Sequence, residues 1–155
     1  KFFTMSTIHE TSVSFSERET QESFRILGVD NRPDISKSMQ RIAELADPHI
    51  IFTPMADYQS ALNEIPDINP HLILTDYQQE REINGITFAQ AVRVKYPDTM
   101  IALVTVGVEE SLLKLANRGE RFIDLFIHKE DFSVEKVLSI MEAVKKREAL
   151  IRHQR

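Results

Sequence analysis

From residue 24 onward, short apolar runs alternate with stretches of helical periodicity, and that alternation limits the fold more than any other feature of the chain. FRILGV (Phe24–Val29) is a strand candidate that stops at Asp30. Residues 34–46 follow, with Ile35, Met39, Ile42 and Leu45 at helical spacing. The pattern then repeats. HIIFT (49–53) reads as a strand, and 55–65 as a helix with Tyr58, Leu62 and Ile65 on one face. HLILT (71–75) is the third strand and 87–95 the third helix, across a polar loop with Asn84 and Gly85. MIALVTV (100–106) and a helix over 109–117, ended by Gly119, come next, then FIDLFI (122–127) and a long last helix capped by Ser133. Strands that alternate with helices need crossover connections, so the pattern predicts an α/β fold with a parallel sheet covered on both faces.

Length and composition agree. A chain of 155 residues suits one domain with its own core. Its 42% hydrophobic and 28% charged residues exclude wholesale disorder. The net charge of −5, with scattered basic residues, argues against a nucleic-acid surface. The absence of cysteine removes disulfides, thiolate metal sites and a Cys nucleophile. No apolar run nears the roughly 20 residues that span a bilayer. These features point to a cytoplasmic protein with no membrane partner. Residues 1–22 are polar and aperiodic, which predicts a flexible tail, with Met5 as a candidate natural start. The folded unit is expected over 23–146, with 147–155 as a helical extension or linker.

In open parallel sheets, ligands and chemistry collect beyond the carboxyl ends of the strands. The successive strand ends here carry Asp30 and Asn31, then Asp76, then Thr105, then Lys129 after His128. Each has an ordinary explanation: a turn former, a β-branched strand residue, a solvated lysine. Together, in this order and on one rim, they form a constellation more specific than any member.

Over residues 24–149 the sequence resembles the receiver domains of two-component response regulators. ILGVDNRPDI resembles the first-strand motif, in which two adjacent acids precede a Pro-containing helix start. LILTD resembles the strand of the phospho-accepting aspartate, KYPDTMIALVT the approach to the fourth strand, and FIHK the strand bearing the family's lysine. The resemblance implies a flavodoxin-like (βα)5 sandwich with strand order 2-1-3-4-5. It further implies that Asp76 accepts a phosphoryl group from a sensor histidine kinase or a phosphotransfer protein. Mg²⁺ would be held by Asp30, Asn31, Asp76 and the carbonyl of Gln78, while Lys129 and Thr105 bind phosphoryl oxygens. Thr105 and Phe126 would form the switch acting on the face of the fourth helix, fifth strand and fifth helix. Phe126 reads at least as well as a plain core residue.

Four positions depart from the family pattern. Asn31 replaces a carboxylate, a change worth a few kcal/mol at close range and so roughly ten- to a thousandfold in Mg²⁺ affinity. Arg32 follows, either paired with Asp76 in the metal's place or solvated. The loop YQQEREING lacks a proline and is longer by a residue, and Val106 stands where a small residue admits the phosphoryl group. Glu130 follows Lys129 where the family has proline. Two readings result: a phosphorylatable receiver, and a degenerate receiver that is a phosphorylation-independent interaction or dimerisation module.

Neither reading makes the chain an enzyme. A haloacid-dehalogenase-like phosphatase needs a second Asp two positions beyond the nucleophile, where Gln78 stands. A flavin carrier needs a phosphate loop after the first strand, and DNRPD is partly acidic. The five histidines are dispersed, without zinc-ligand spacing. In the last helix, heptad positions fall on Val134, Val137, Met141, Val144, Glu148 and Ile151. Under three heptads is short for a coiled coil, so 134–144 are expected to pack on the sheet. The charged residues 145–155 are expected to lead to an output domain or a homodimer partner.

Overall fold

The computed structural model describes residues 22–77, 84–106 and 122–154. The expected tail, the helix over 109–117 and Gln78 lie outside them, apart from Glu22. Five parallel strands form one sheet in the order β2-β1-β3-β4-β5. They are β1 (Phe24–Val29), β2 (Ile50–Met55), β3 (Leu72–Asp76), β4 (Met100–Thr105) and β5 (Leu125–His128). The helices among the described residues are α1 (Pro33–Ala46), α2 (Tyr58–Ile68), α3 (Gly85–Lys95) and α4 (Val134–His153). A short 3-10 turn (Lys129–Asp131) leads from β5 toward α4.

Alternate strand residues face opposite sides, and among the described residues each side meets two helices. Ile26, Phe52, Leu74 and Val104 pack under α1 and α4, against Met39, Val137 and Met141. Leu27, Val29, Ile73 and Ile101 pack under α2 and α3, against Tyr58, Ile65 and Phe88. Every residue of β3 and β4 is buried. This explains why their sequences are unbroken apolar runs rather than alternating ones. The edge strands β2 and β5 are only partly covered.

Several boundaries differ from the sequence reading. Strand β2 continues through Pro54 to Met55, which an edge strand tolerates because one side of its ladder is unpaired. Helix α2 therefore starts later, at Tyr58, capped by Asp57, whose carboxylate accepts from the Ser60 N–H at 2.7 Å. It also runs past Pro66 to Ile68 and ends at Asn69 in the left-handed conformation (φ 47°). Strand β3 includes Asp76 as its last residue. Strand β4 ends at Thr105, and Val106 lies beyond it. Strand β5 begins at Leu125, three residues later than expected, because its ladder starts opposite Ala102. Just before it, Asp124 is held by Arg93 at 2.6 Å, Arg147 at 3.1 Å and the Ile101 N–H at 2.9 Å.

Candidate functional site

Strand register brings the rim residues together. Val29 pairs with Thr75, Asp76 with Val104, and Thr105 with His128. Asp30 is thus one step past β1, Asp76 ends β3, Thr105 ends β4, and Lys129 is one step past β5. All four converge at the carboxyl end of the sheet.

The two acids are deeply placed, Asp30 at 3% and Asp76 at 8% exposure. The Lys129 ammonium lies between them, 3.6 Å from Asp30 Oδ2 and 3.6 Å from Asp76 Oδ1. Its nitrogen is buried and makes no hydrogen bond in the structure. Arg32 closes the other side: Nε is 3.4 Å from Asp30 Oδ1, and an Nη donates to Asp76 Oδ2 at 3.5 Å. The Arg32 N–H also donates to Asp30 Oδ1 at 2.9 Å. Two carboxylates thus face two cations. Burial pushes the Asp76 carboxyl above the usual carboxylate range, and the Asp30 charge adds to this. The Tyr77 N–H, which donates to Asp76 Oδ1 at 2.8 Å, and Arg32 oppose the shift. Partial burial works against the Arg32 charge, but Asp30 and Asp76 together hold its pKa above the ordinary value.

The backbone beneath Asp76 is fixed from three directions. Its carbonyl accepts from the Tyr58 hydroxyl at 2.6 Å and the Thr75 hydroxyl at 3.1 Å. At Gly85 a Cβ would overlap that same carbonyl oxygen. Tyr58 is buried at the start of α2 and stacks on Phe88 of α3 with centroids 4.9 Å apart. Sequence reading missed its role. Its hydroxyl reaches the site across 18 residues of chain, and only its apolar helix face is visible locally.

Asp30, Asp76, Thr105 and Lys129 are therefore brought together, and Arg32, though partly exposed, pairs with both acids. Asn31 is exposed, and Val106 is 65% exposed on the rim. Phe126 is 38% exposed, on the opposite side of β5 from buried Ile127, so the core reading of Phe126 does not hold. Thr105 is 8% exposed.

A divalent hard cation is commonly held through one or two carboxylates plus the oxygens of a bound phosphate. Asp30 and Asp76, side by side on one rim, fit that requirement. Among the described residues no third carboxylate or histidine joins them, and both are already shared with Arg32 and Lys129.

No family model matches the sequence. Among solved structures, the chain is similar to a CheY-like response regulator receiver domain protein from Methanospirillum hungatei JF-1. That match has a TM-score of 0.70 and 20% identity, covering 83% of this chain and 98% of the other. It is equally similar to the signal receiver domain of an HD domain-containing protein from Pseudomonas fluorescens Pf-5, with TM-score 0.70, 22% identity and coverage of 83% and 99%. RcsB from Salmonella enterica serovar Typhimurium, bound to promoter rprA in the presence of the phosphomimetic BeF3−, matches at TM-score 0.65 and 16% identity. The match covers 80% of this chain and 62% of that one. With a sheet in the order 2-1-3-4-5 and acids, hydroxyl and lysine at one rim, the chain has the fold of a CheY-like response regulator receiver domain.

Proposed function

We propose that the chain is a receiver domain that takes a phosphoryl group on Asp76. The observation that carries this reading is the buried Lys129 ammonium, 3.6 Å from both carboxylates and without a hydrogen-bond acceptor. A buried ammonium that lacks an acceptor is costly, and an anionic oxygen brought to Asp76 would supply one. In the proposed step, an Asp76 carboxylate oxygen attacks the phosphorus of a partner's phosphohistidine. The P–N bond breaks, its electron pair stays on the imidazole, and an acyl phosphate forms on Asp76. Lys129 neutralises one phosphoryl oxygen, and the Thr105 hydroxyl donates to another. Asp30 and Asp76 are the side chains that would hold Mg²⁺, which when bound supplies positive charge to the transferred oxygens.

The donor would be a sensor histidine kinase or a phosphotransfer protein. The response would pass through Thr105 to Phe126, which is half-exposed on β5. An output domain beyond α4 fits this reading, as RcsB is a response regulator seen on a promoter. Among the described residues no helix is long and apolar enough to cross a membrane.

One observation favours the second reading, a receiver that works by contact alone: Arg32 already spans Asp30 and Asp76. Intact-mass measurement with a small-molecule phosphodonor separates the two. A gain of one phosphoryl group, dependent on Mg²⁺ and absent in Asp76→Asn, is the expected result. No gain at high Mg²⁺, in the native chain and in Asn31→Asp, would leave the contact-only reading.

A further inference from the structure

Arg32 is the feature of the rim that phosphoryl acceptance does not use. Its guanidinium reaches both carboxylates that a divalent ion would need, at 3.4 Å and 3.5 Å. Its own N–H anchors the side chain's base to Asp30 at 2.9 Å, which keeps the guanidinium close to the acid pair. The group is 45% exposed, so it can leave without a large packing cost. Lys129, by contrast, is 14% exposed and is held between β5 and the acids. With Lys129 and Arg32 both in place, the acid pair carries no net charge and has little left to attract a hard cation.

We propose that Arg32 is a tethered counter-cation, which a divalent metal ion must displace from Asp30 and Asp76 before it can bind. The inference deepens the proposed function, since it concerns metal entry to the same site, yet it rests only on the acid pair being a cation site. Phosphoryl acceptance can fail while this holds. Lys129 stays where it is, and the guanidinium swings outward into solvent. Metal affinity is then set by competition with a charge that belongs to the chain itself.

The test measures metal binding directly, without any phosphodonor. Free Mn²⁺ is followed by its electron paramagnetic resonance signal, and the Mg²⁺-induced shift in Tm is measured on the same proteins. Removing an ion pair of this exposure, worth on the order of a kcal/mol, is expected to tighten Mn²⁺ binding roughly tenfold in Arg32→Ala. Arg32→Lys keeps the charge and is expected to stay close to the native chain. The metal-free Arg32→Ala protein should melt lower than the native one, and Mg²⁺ should raise its Tm more. Arg32→Gln, which keeps the length and polarity of the side chain, serves if the alanine variant folds poorly. Binding unchanged within twofold in Arg32→Ala and Arg32→Gln would overturn the proposal, as would no binding in any variant. Equal tightening in Arg32→Lys would overturn it too, because bulk rather than charge would then be the obstacle.

Discussion

At the scale of single residues, the rim combines a buried acid pair with two cations, and burial weighs against the charge of Asp76. Burial first, then the Asp30 charge, raises its folded-state pKa. A carboxyl whose pKa is raised on folding contributes stability fully below its unfolded value near 3.9 and loses it as the pH rises through the folded value. Ionised Asp76 is therefore a net cost at neutral pH. Asp76→Asn keeps the shape of the protonated acid without the charge. It is expected to be more stable than the native chain at pH 7.5, by roughly 0.5–2 kcal/mol. The gap should close as the pH is lowered toward about 4. Urea titrations at several pH values check this, and a less stable Asn variant at pH 7.5 would mean that the Lys129 and Arg32 pairs dominate. Most of this rim was legible in the sequence, because each acid, hydroxyl or lysine ends an apolar run. The bridging by Arg32 was not decided there, since an arginine at a helix start serves as well in solvent. Only the register of β1 against β3 sets the distance it must span.

At the scale of elements, α3 and β3 meet at a point where one atom decides. Gly85 begins α3 and donates its N–H to the Tyr77 carbonyl at 3.0 Å. Asn84 caps the helix through bonds to the N–H groups of Ile86 and Thr87 at 3.1 Å and 3.0 Å. A Cβ at Gly85 would meet backbone, the Asp76 carbonyl oxygen, and also the Leu103 side chain. Neither α3 nor the buried strand can move aside cheaply, so Gly85→Ala is expected to cost about 1–3 kcal/mol. It should also disturb Asp76, visible as a chemical-shift change at the Tyr77 amide. An unchanged denaturation midpoint would show that α3 is free to shift. The sequence placed Gly85 in a polar loop, whereas its role is close approach, which involves two segments and is invisible in one. The same limit explains the element ends. Sheet order and the packing of α4 through Val144 followed from periodicity and resemblance, but β2 and β5 begin and end where their neighbours supply a ladder. Asp57, three residues before Ser60, was a readable cap for α2 that the apolar pattern around Met55 obscured.

At the scale of the whole molecule, the opposite end of the sheet holds a second polar cluster, built around His71. His71 precedes β3 and stacks on Phe24 with centroids 5.1 Å apart. Its Nδ1 accepts from the Arg25 N–H at 3.0 Å, so the proton of the neutral ring sits on Nε2. The Arg25 guanidinium lies 3.3 Å from Nε2, and Glu148 of α4 approaches the same nitrogen at 3.9 Å. Burial, then the Arg25 charge, lowers the His71 pKa, against opposite pulls from Glu148 and Glu22. A histidine whose pKa is depressed on folding contributes stability above its unfolded value near 6.5 and loses it as the pH falls through the folded value. Protonation would also place an N–H against the Arg25 N–H. His71→Asn keeps an acceptor for that N–H and cannot take up a proton. It is expected to be somewhat less stable than the native chain at pH 8, having lost the stacked ring, and to lose less as the pH falls from about 7 to 5. The difference between the two proteins should therefore shrink across that interval, read as Tm or urea midpoint. Parallel pH profiles would mean that Glu148 and Glu22 hold the charged ring as well as the neutral one. Because Glu148 lies beyond Val144, the final turns of α4 then belong to the folded unit's own electrostatics, whatever else they lead to.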